Sequence, residues 1–439
     1  MPPLTRARAA SEAPPTLLDA LARAPAAAAL VVAALGQKDR KALRLACTQL
    51  RDAVGEATTK LTTLEILGRP STRPPTARSW PQLEELTMRN PNLPALEALG
   101  AETWSRLRSL CFGRMYILSF FEACRARAFA AALRRMPALR ALELRFVTLS
   151  DDAAAALFRA SSAEAAPQLR ALTIVSADLT PAAVRMLAAS GWRLEELDLG
   201  SNHKLRTADA AALVSAPTFA LRRLIMPHCG LDAAALFTLA NAPWPLEELD
   251  RSFNDFSAAA AGPALAALSR RAGLRRLNVN YCKLSAATFK ALVEAAWPAL
   301  TYLTTQAAKT AFFDGPHALG AAAFAGFPAL EELVLAGVQL READAALLAS
   351  RRWPRLKKLN LCNTRLGDAG LAALARGPWP ALERLDVRQN GLGEAGLAAL
   401  ARGAWPALEE LDLRHHKLSA PPSLEDARRW APALEELHQ

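Results

Sequence analysis

The residues of this chain whose types and spacing could support chemistry are a glycine-rich stretch, a pair of histidines and six cysteines. The stretch GLGEAG at 391–396 has the spacing of a dinucleotide-binding turn, and Asp412 follows at the distance where such sites hold a ribose hydroxyl. His415 and His416 are adjacent but have no third ligand at a metal-binding spacing. The cysteines, at 47, 111, 124, 229, 282 and 362, form no C-x-x-C pair.

None of these patterns predicts a catalytic site. The earlier stretch RLGDAG at 365–370 has its glycines in the same phase as GLGEAG, which indicates a repeated turn rather than a nucleotide site. Asp412 likewise occupies the position that Asp386 has one repeat earlier. Six histidines scattered over distant segments offer no Ser/His/Asp or Cys/His set. We therefore expect no catalytic residues, no metal site and no cofactor, and a protein that is not an enzyme.

The spacing that does recur is one of apolar residues. The pattern Leu-x-x-Leu-x-Leu-x-x-Asn-x-Leu is clearest from residue 356 onward, where it returns every 26 residues, and a fixed period of this size predicts a solenoid. Positions 1, 4 and 6 of each unit have the two-residue period of a strand with one buried face, and helical spacing follows position 11. The opening leucines, at spacings from 22 to 32, are Leu61, Leu83, Leu107, Leu139, Leu169, Leu194, Leu221, Leu246, Leu274, Leu300, Leu330, Leu356, Leu382, Leu408 and Leu434.

Tryptophan placement supports this division into units. All nine tryptophans fall two to four residues before the first leucine of a unit, usually in the sequence Trp-Pro-x-Leu. Proline ends the preceding helix, and the large ring is predicted to fill the return from helix to strand. The tryptophans are therefore predicted to be structural, and not an aromatic cage or a base-stacking site.

Position 9 of the units carries the resemblance to a known family. It alternates through Asn202, Cys229, Asn254 and Cys282, in helix-bearing units of 25 to 28 residues, and in this it resembles the ribonuclease-inhibitor class of leucine-rich repeats. The resemblance implies an α/β solenoid over residues 58–439, curved like a horseshoe, with a parallel β-sheet on the concave face and helices on the convex face. It implies little about the partner.

The first residues do not fit the repeat. Residues 1–16 are rich in proline and alanine and predict a disordered tail, and residues 17–57 predict a small helical segment. The stretch LVVAALGQKDRKALRLACTQLRDAV is similar to the second half of an F-box, although the opening Leu-Pro of that family is missing. The resemblance implies docking onto a Skp-type adaptor of cullin ubiquitin ligases. The residues that it assigns to adaptor binding are Leu35, Asp39, Leu43, Leu45 and Leu50. The alternative is a helical cap over the open end of the first repeat.

Charge and composition limit the partner class and the compartment. Nine of the eleven excess positive charges lie in the first 190 residues. In the repeats, however, paired glutamates and paired arginines alternate from unit to unit at positions 2 and 3. They should therefore neutralise one another, and nucleic acid is not the expected partner.

No apolar run approaches the ~18 residues of a membrane span. The irregular cysteines favour the cytoplasm or nucleus, with an N-terminal organelle-targeting peptide left open, and we expect a monomer.

The candidate binding residues lie at positions 5, 7 and 8, which face solvent between the buried leucines. His228, Phe253 and Tyr281 follow one another at position 8 and predict an aromatic anchor for a protein partner. The residues expected to supply hydrogen bonds are Asn278, Asn280 and Gln306. The alternative is that position 8 turns into the loop and partly buries its rings.

Two functions follow from these observations. The first is an F-box-like substrate receptor whose repeats hold the target. The second is a stand-alone repeat inhibitor or regulator whose N-terminal helices only cap the solenoid.

One residue departs from the pattern of the core. Arg251 stands at position 6, where leucine belongs, and its side chain should reach solvent or an acidic partner.

Overall fold

The computed structural model of the 439-residue chain describes residues 60–63, 77–78, 81–88, 93–112, 119–121, 123–160, 166–307, 319–416, 418 and 422–438. The two N-terminal segments, 1–16 and 17–57, lie outside the described residues, and so do the adaptor-binding residues assigned there.

The described strands form one long parallel sheet and a small second one. Fifteen strands follow one another in chain order across the long sheet, interrupted only where β4 and β6 pair separately in parallel at its edge. The strands are β1 Lys60–Thr63, β2 Glu85–Met88, β3 Ser109–Phe112, β4 Ser119–Phe121, β5 Ala141–Arg145, β6 Val147–Leu149, β7 Ala171–Val175, β8 Glu196–Asp198, β9 Arg223–Ile225, β10 Glu248–Asp250, β11 Arg276–Asn278, β12 Tyr302–Thr304, β13 Glu332–Val334, β14 Lys358–Asn360, β15 Arg384–Asp386, β16 Glu410–Asp412 and β17 Glu436–His438.

Helices connect most successive strands of the described chain. Several begin at a hydroxyl cap: the hydroxyl oxygens of Ser150, Thr180 and Ser285 each accept a hydrogen bond from the backbone N–H three residues on. The helices are α1 Leu93–Ala101, α2 Ala123–Leu133, α3 Asp151–Ala160, α4 Pro181–Ala188, α5 Thr207–Val214, α6 Ala233–Ala240, α7 Ala261–Ser269, α8 Ala286–Glu294, α9 Glu342–Ala349, α10 Gly367–Leu374, α11 Glu394–Leu400 and α12 Leu424–Arg428.

Strand register confirms the division into units from residue 83 onward and corrects it for the first unit. Position 4 of each unit pairs with position 4 of the next, as Leu249 does with Leu277. Leu61, taken as position 1 from the sequence, pairs with Leu86, which is position 4 of its own unit. The first unit therefore begins three residues earlier than predicted. The error arose because Leu61, Leu64 and Ile66 repeat the same apolar spacing.

The core lies between the sheet and the helices and consists of the leucines at positions 1, 4, 6 and 11 together with the apolar faces of the helices. Parallel strands lie ~4.8 Å apart, whereas packed helices need ~8–10 Å. The helix layer must therefore follow the longer arc, and the sheet lines the concave side. The molecule is an α/β leucine-rich-repeat solenoid.

The tryptophans close the return from helix to strand, as predicted. The indole N–H groups of Trp104, Trp297, Trp353, Trp379 and Trp405 each donate to the carbonyl of a leucine five residues earlier, at 2.9–3.1 Å. These leucines lie at the ends of helices or just before their ends, where carbonyl groups lack a partner within the helix. Each ring thus fills the core and also caps its own helix. Trp80 lies outside the described residues.

The helices of the described chain are short. The longest, α2, has 11 residues, against the ~20 that a bilayer crossing requires. No helix in the described ranges combines the length and apolar character needed to span a membrane.

Candidate functional site

Where position 9 is an asparagine in the described units, its side chain organises the turn after the strand. The Asn254 amide oxygen accepts hydrogen bonds from the backbone N–H groups of Cys229 (3.2 Å) and Leu231 (3.0 Å) in the preceding unit. Its amide nitrogen donates to the carbonyls of Met226 (2.9 Å) and Arg251 (2.8 Å). One buried asparagine thus fixes the turns of two neighbouring units. Asn202 and Asn390 are bonded in the same way.

The two cysteines at position 9 are hydrogen-bond donors inside the turns. The Cys229 thiol donates to the Leu199 carbonyl at 3.1 Å, and the Cys282 thiol donates to the Arg251 carbonyl at 3.0 Å. Burial raises the pKa of Cys229 to about 11 and that of Cys282 to about 12. Both groups therefore remain protonated at neutral pH.

Position 8 has a left-handed backbone in most described units. His228, Phe253 and Tyr281 have φ values of 53°, 57° and 55°. Their N–H groups donate to the position-7 carbonyls of the next strand, at 3.1, 2.8 and 2.6 Å. The left-handed conformation turns the chain out of the sheet. Because it recurs from unit to unit, it places successive side chains one above the other.

These three residues form a stack of rings, called here the aromatic column. The centroids of His228 and Phe253 lie 4.0 Å apart with planes 15° apart, and those of Phe253 and Tyr281 lie 4.5 Å apart with planes 26° apart. His203 meets the His228 end edge-on at 6.1 Å. Phe253 is 43% exposed, and Tyr281 is half-buried. The rings thus lie at the turn, which is the second arrangement that the sequence allowed for position 8. Their faces pack against one another, and their edges remain toward solvent.

The predicted hydrogen-bonding residues lie beside the column, but much of their capacity is already used. The Asn278 amide donates to Asp250 at 2.7 Å, and its oxygen accepts from the Asn280 N–H at 3.0 Å. The Asn280 oxygen accepts from the Thr304 hydroxyl (2.7 Å) and from the backbone N–H of Gln306 (2.5 Å). Both asparagines therefore use part of their hydrogen-bonding capacity within the sheet. Their role in binding a partner stays a prediction, as does that of Gln306.

The charges at positions 2 and 3 pair across strands as predicted. Arg222 pairs with Glu247, and Arg223 lies between Glu248 (3.2 Å) and Glu196 (3.7 Å). Arg276 lies over the ring of Tyr302, 4.0 Å from its centroid. These charges form a polar border along the strands and are largely neutralised by one another.

Arg251 contradicts what the sequence led us to expect. Its side chain neither reaches solvent nor meets an acidic group, because the residue is 0% exposed and the one hydrogen bond of the guanidinium among the described residues is to the Met226 sulfur at 3.5 Å. Its Nε and one terminal nitrogen have no partner in the described part of the chain. Burial lowers the pKa of the guanidinium to about 10. The side chain fills the space of a leucine and leaves a charge in the core.

The GLGEAG stretch is a repeat turn, as predicted. The N–H groups of Gly393 and Gly396, which a phosphate would need, both donate to one carboxylate oxygen of Asp368 in the preceding unit, at 2.8 and 2.9 Å. A Cβ atom at Gly396 would collide with that oxygen. The carboxylate of Asp368 in the preceding unit thus occupies the N–H groups that a phosphate would need.

The structure brings together one titratable cluster that sequence reasoning missed. The His438 Nε2 atom lies 3.5 Å from Glu410 and 3.4 Å from Glu436, on the last two described strands. The signal was present in the sequence, because Glu410 and Glu436 are both at position 3, where adjacent strands elsewhere mostly alternate in charge. All three side chains are at least partly exposed, and the cluster is interpreted as surface contacts between the imidazole and two carboxylates.

Comparison with known proteins agrees with the repeat. The family model described as Leucine Rich repeat matches residues 380–401, which contain β15 and α11. No curated protein matches the chain. The crystal structure of the TLR13–ssRNA13 complex is similar at 18% identity and a TM-score of 0.41, over 82% of this chain and 53% of that one, so this chain spans about half its length. The crystal structure of the Rad7 and Elc1 complex in yeast is similar at 15% identity and a TM-score of 0.42, over 94% and 87%.

Proposed function

We propose that this chain is a protein-interaction scaffold that captures a partner on the concave side of its central strands, with the aromatic column as the anchor. The observation that carries this is the exposure of Phe253, a large apolar ring held at 43% exposure between two other rings on a fixed turn. Rings that are already ordered lose little conformational entropy when a partner packs on them. The neutralised charges around them form the polar border typical of a binding hot spot.

A protein fits the aromatic column better than a nucleic acid does. Base recognition by aromatic residues uses the ring faces, on which bases stack. In the column the two faces of Phe253 are covered by His228 and Tyr281. What remains is a row of ring edges, against which aliphatic or aromatic side chains of a protein can pack.

Alanine substitution of the column tests this proposal. We expect the F253A Y281A variant to bind the partner about 30-fold more weakly or worse, since truncating even one central aromatic hot-spot residue commonly costs at least about 2 kcal/mol. The partner would first be captured with the full chain from cells of the source organism and identified by mass spectrometry. The dissociation constant of the purified partner would then be measured by calorimetry for each variant.

Phe146 supplies a matched control. It also occupies position 8, with φ 56°, and it is 42% exposed, but it lies outside the aromatic column. The F146A variant should therefore bind like the unmodified chain. Equal binding by all three proteins, with unchanged melting temperatures, would rule the column out as the anchor.

We further propose that residues 17–57 dock onto a Skp-type adaptor, so that the chain acts as an F-box-like substrate receptor of a cullin ubiquitin ligase. The support is the sequence resemblance alone. Purified adaptor should bind the full chain, and the L43A L45A variant should lose it while keeping the concave-face partner. If the segment is instead a cap on a stand-alone inhibitor or regulator, the adaptor binds neither protein and the variant only melts earlier.

The proposed place of action is the cytoplasm or nucleus, where the protein would act as a monomer. The support is that the five cysteines of the described ranges are thiols and not disulfides, and that Cys229 and Cys282 act in their reduced form as hydrogen-bond donors inside the turns. A reducing compartment preserves those bonds. Imaging of a tagged chain and its mass in solution test both statements.

A further inference from the structure

Four units carry an aspartate at position 5 of the concave face, and the two nearest the C-terminus have a cation beside them. Asp386 is bound through two oxygens by Arg388, at 2.7–3.1 Å. Asp412 is bound in the same way by Arg414, at 2.6–3.2 Å, and Arg388 also reaches it at 3.2 Å. In both units the arginine stands at position 7 of the same strand. Two residues apart on a strand, the acid and the base share one face.

The two central aspartates have no such partner. In their units position 7 is Gly200 and Ser252. The Asp198 oxygen accepts from the Gly200 N–H at 2.9 Å. Asp250 accepts from the N–H (2.9 Å) and hydroxyl (2.7 Å) of Ser252 and from Asn278. In the described ranges, no cationic group forms an ion pair with either carboxylate within 4.0 Å.

The electrostatics of Asp198 and Asp412 differ. Burial raises the pKa of Asp198 and outweighs the hydrogen bond from the Gly200 N–H and the charges of Arg145 and Arg223, which act to lower it. For Asp412, burial acts in the same upward direction, but the hydrogen bonds from Arg414 and the charge of Arg388 hold the pKa below its ordinary value. Asp412 thus forms ion pairs with two arginines, whereas Asp198 is partly desolvated and forms no ion pair within 4.0 Å in the described ranges.

The unpaired aspartates lie on either side of an apolar strip next to the aromatic column. β9 runs between their two strands and carries the half-buried Ile225 at position 5, followed by Pro227 at position 7. Two strand spacings separate Asp198 from Asp250, about 10 Å. The aromatic column begins three residues further along β9 and β10. The arrangement offers two acids, an apolar surface between them and ring edges at one end.

We propose that the central concave face binds a basic protein segment, in which arginine or lysine side chains pair with Asp198 and Asp250 and a neighbouring apolar side chain packs on Ile225 and the edges of the aromatic column. This inference rests on the proposed function and adds the chemistry of the partner to it. Arginine is the better fit, because its planar fork binds a carboxylate through two hydrogen bonds, as Arg388 and Arg414 do in the same sheet.

Charge complementarity favours this occupant over a polyanion. The chain as a whole has a formal charge of +11, yet its central concave surface presents two acids that form no ion pair within 4.0 Å among the described residues. Arg223, one of the arginines whose charge acts on Asp198, is itself held between Glu196 and Glu248. Nucleic acid phosphates would meet these carboxylates and be repelled, whereas basic side chains would take the place that arginine fills at the other end.

Peptide selection on the full chain tests the proposal directly, since it needs no purified natural partner. Random peptides displayed on phage would be selected on the unmodified protein, on D198N D250N, and on D386N D412N as the matched control that removes two acids from the same repeat position. We expect peptides selected on the first and third proteins to be enriched in arginine or lysine next to an apolar residue. That enrichment should be lost on D198N D250N, with melting temperatures showing that all three are folded.

One selected peptide then gives a quantitative measure. Its dissociation constant should rise about tenfold on D198N D250N and change less than about twofold on D386N D412N, with a salt dependence that the central substitutions reduce. Equal weakening by both pairs would mean unspecific attraction and would overturn the inference. The inference would also fail if no peptide is selected above background, or if single-stranded RNA binds at this face.

The same experiment separates this inference from the proposed function. Peptides that depend on Phe253 and Tyr281 but carry no excess of basic residues would disprove the cation pairing and leave the aromatic column as the anchor. Basic peptides that bind F253A Y281A unchanged, and still require Asp198 and Asp250, would support the acidic pair and disprove the column.

Discussion

At the scale of single residues, position 9 shows how a repeat protein satisfies its buried backbone with few side chains. An asparagine there offers one acceptor and two N–H donors, and Asn254 uses them on both its own turn and the preceding turn. The unit that precedes an asparagine unit therefore needs fewer hydrogen bonds from the side chain at its own position 9. Cys229 meets that need with one weak donor, to the Leu199 carbonyl. At position 229 the smaller side chain thus follows from the bonds that Asn254 of the next unit already supplies.

The buried thiols predict how stability depends on pH. Because burial raises the pKa of Cys229 to about 11 and of Cys282 to about 12, the folded chain keeps two protons that the unfolded chain releases near its ordinary value of 9.0. Unfolding then releases protons, so stability is full below pH 9 and is lost as pH rises through about 11. The C229N C282N variant, with asparagine in the same slot, should show a shallower loss.

The measurement is the denaturant midpoint between about pH 7.5 and about pH 10.5, a range that spans the ordinary thiol pKa. The matched control is C124N, which changes an exposed cysteine and should keep the slope of the unmodified chain. Identical slopes in all three proteins would show that the two buried thiols do not determine the alkaline instability.

At this scale the sequence located the column residues but not their arrangement. Counting from the first leucine of each unit identifies position 8, and this predicted His228, Phe253 and Tyr281 as neighbours on adjacent units. Their stacking depends on a left-handed φ that recurs in non-glycine residues, which composition does not reveal. The hydrogen bonds of Asn278 with Asp250 and of Asn280 with Thr304 were not predicted, because these partners come from adjacent strands.

At the scale of elements, helices in much of the array end against a tryptophan ring. Two of these tryptophans allow the contribution of the indole N–H to be separated from that of ring burial. Trp379 donates to the Leu374 carbonyl at 2.9 Å and is 1% exposed. Trp244 is almost as deeply buried, at 3%, but its N–H has no hydrogen-bond partner among the described residues. The two positions therefore share the burial of a large ring and differ in one hydrogen bond.

We expect W379F to destabilise the protein by about 1 kcal/mol more than W244F does. Both changes remove ring volume, but only W379F also leaves the Leu374 carbonyl without its donor, and W244F removes an N–H that is already unsatisfied. Chemical denaturation followed by circular dichroism measures the difference. A cost for W244F equal to or above that for W379F would show that ring volume, and not the helix cap, sets the role of these residues.

Strands were easier to predict than their alignment in the first unit. The period of two marked every strand of the long sheet after residue 83, because the leucines at positions 1, 4 and 6 have no competing register there. Near residue 61 the spacing fits two registers, and only pairing with Leu86 decides between them. The separate pairing of β4 with β6 was not predicted, because it depends on a long-range contact outside the repeat.

At the scale of the whole molecule, the solenoid differs between its centre and its C-terminal part. The C-terminal units repeat every 26 residues and place Leu361, Val387 and Leu413 at position 6, all buried. The central units place Met226, Arg251, Val279 and Thr305 there, and the unit from Leu300 is stretched to 30 residues. Since each unit touches only its neighbours, a weak unit lowers stability locally. The best-packed part of the array is thus separate from the part with the candidate binding surface.

Amide hydrogen exchange should therefore show that the central strands open first. The N–H groups of Arg251 and Phe253 bond to the next strand at 2.8 Å, as do those of Leu361 and Asn363, so the hydrogen bonds are matched and only the core beneath them differs. We expect exchange at least about tenfold faster in β9–β12 than in β14–β16.

The R251L variant removes the buried, nearly unpartnered guanidinium and should slow central exchange by about tenfold or more, since replacing buried charge with an apolar side chain commonly stabilises by about 1–4 kcal/mol. V279L, which alters the next position 6 without removing charge, should have little effect. Uniform protection along the array, or faster central exchange in R251L, would show that the guanidinium does not weaken the centre. If R251L protects the centre and also weakens partner capture, the local instability serves binding.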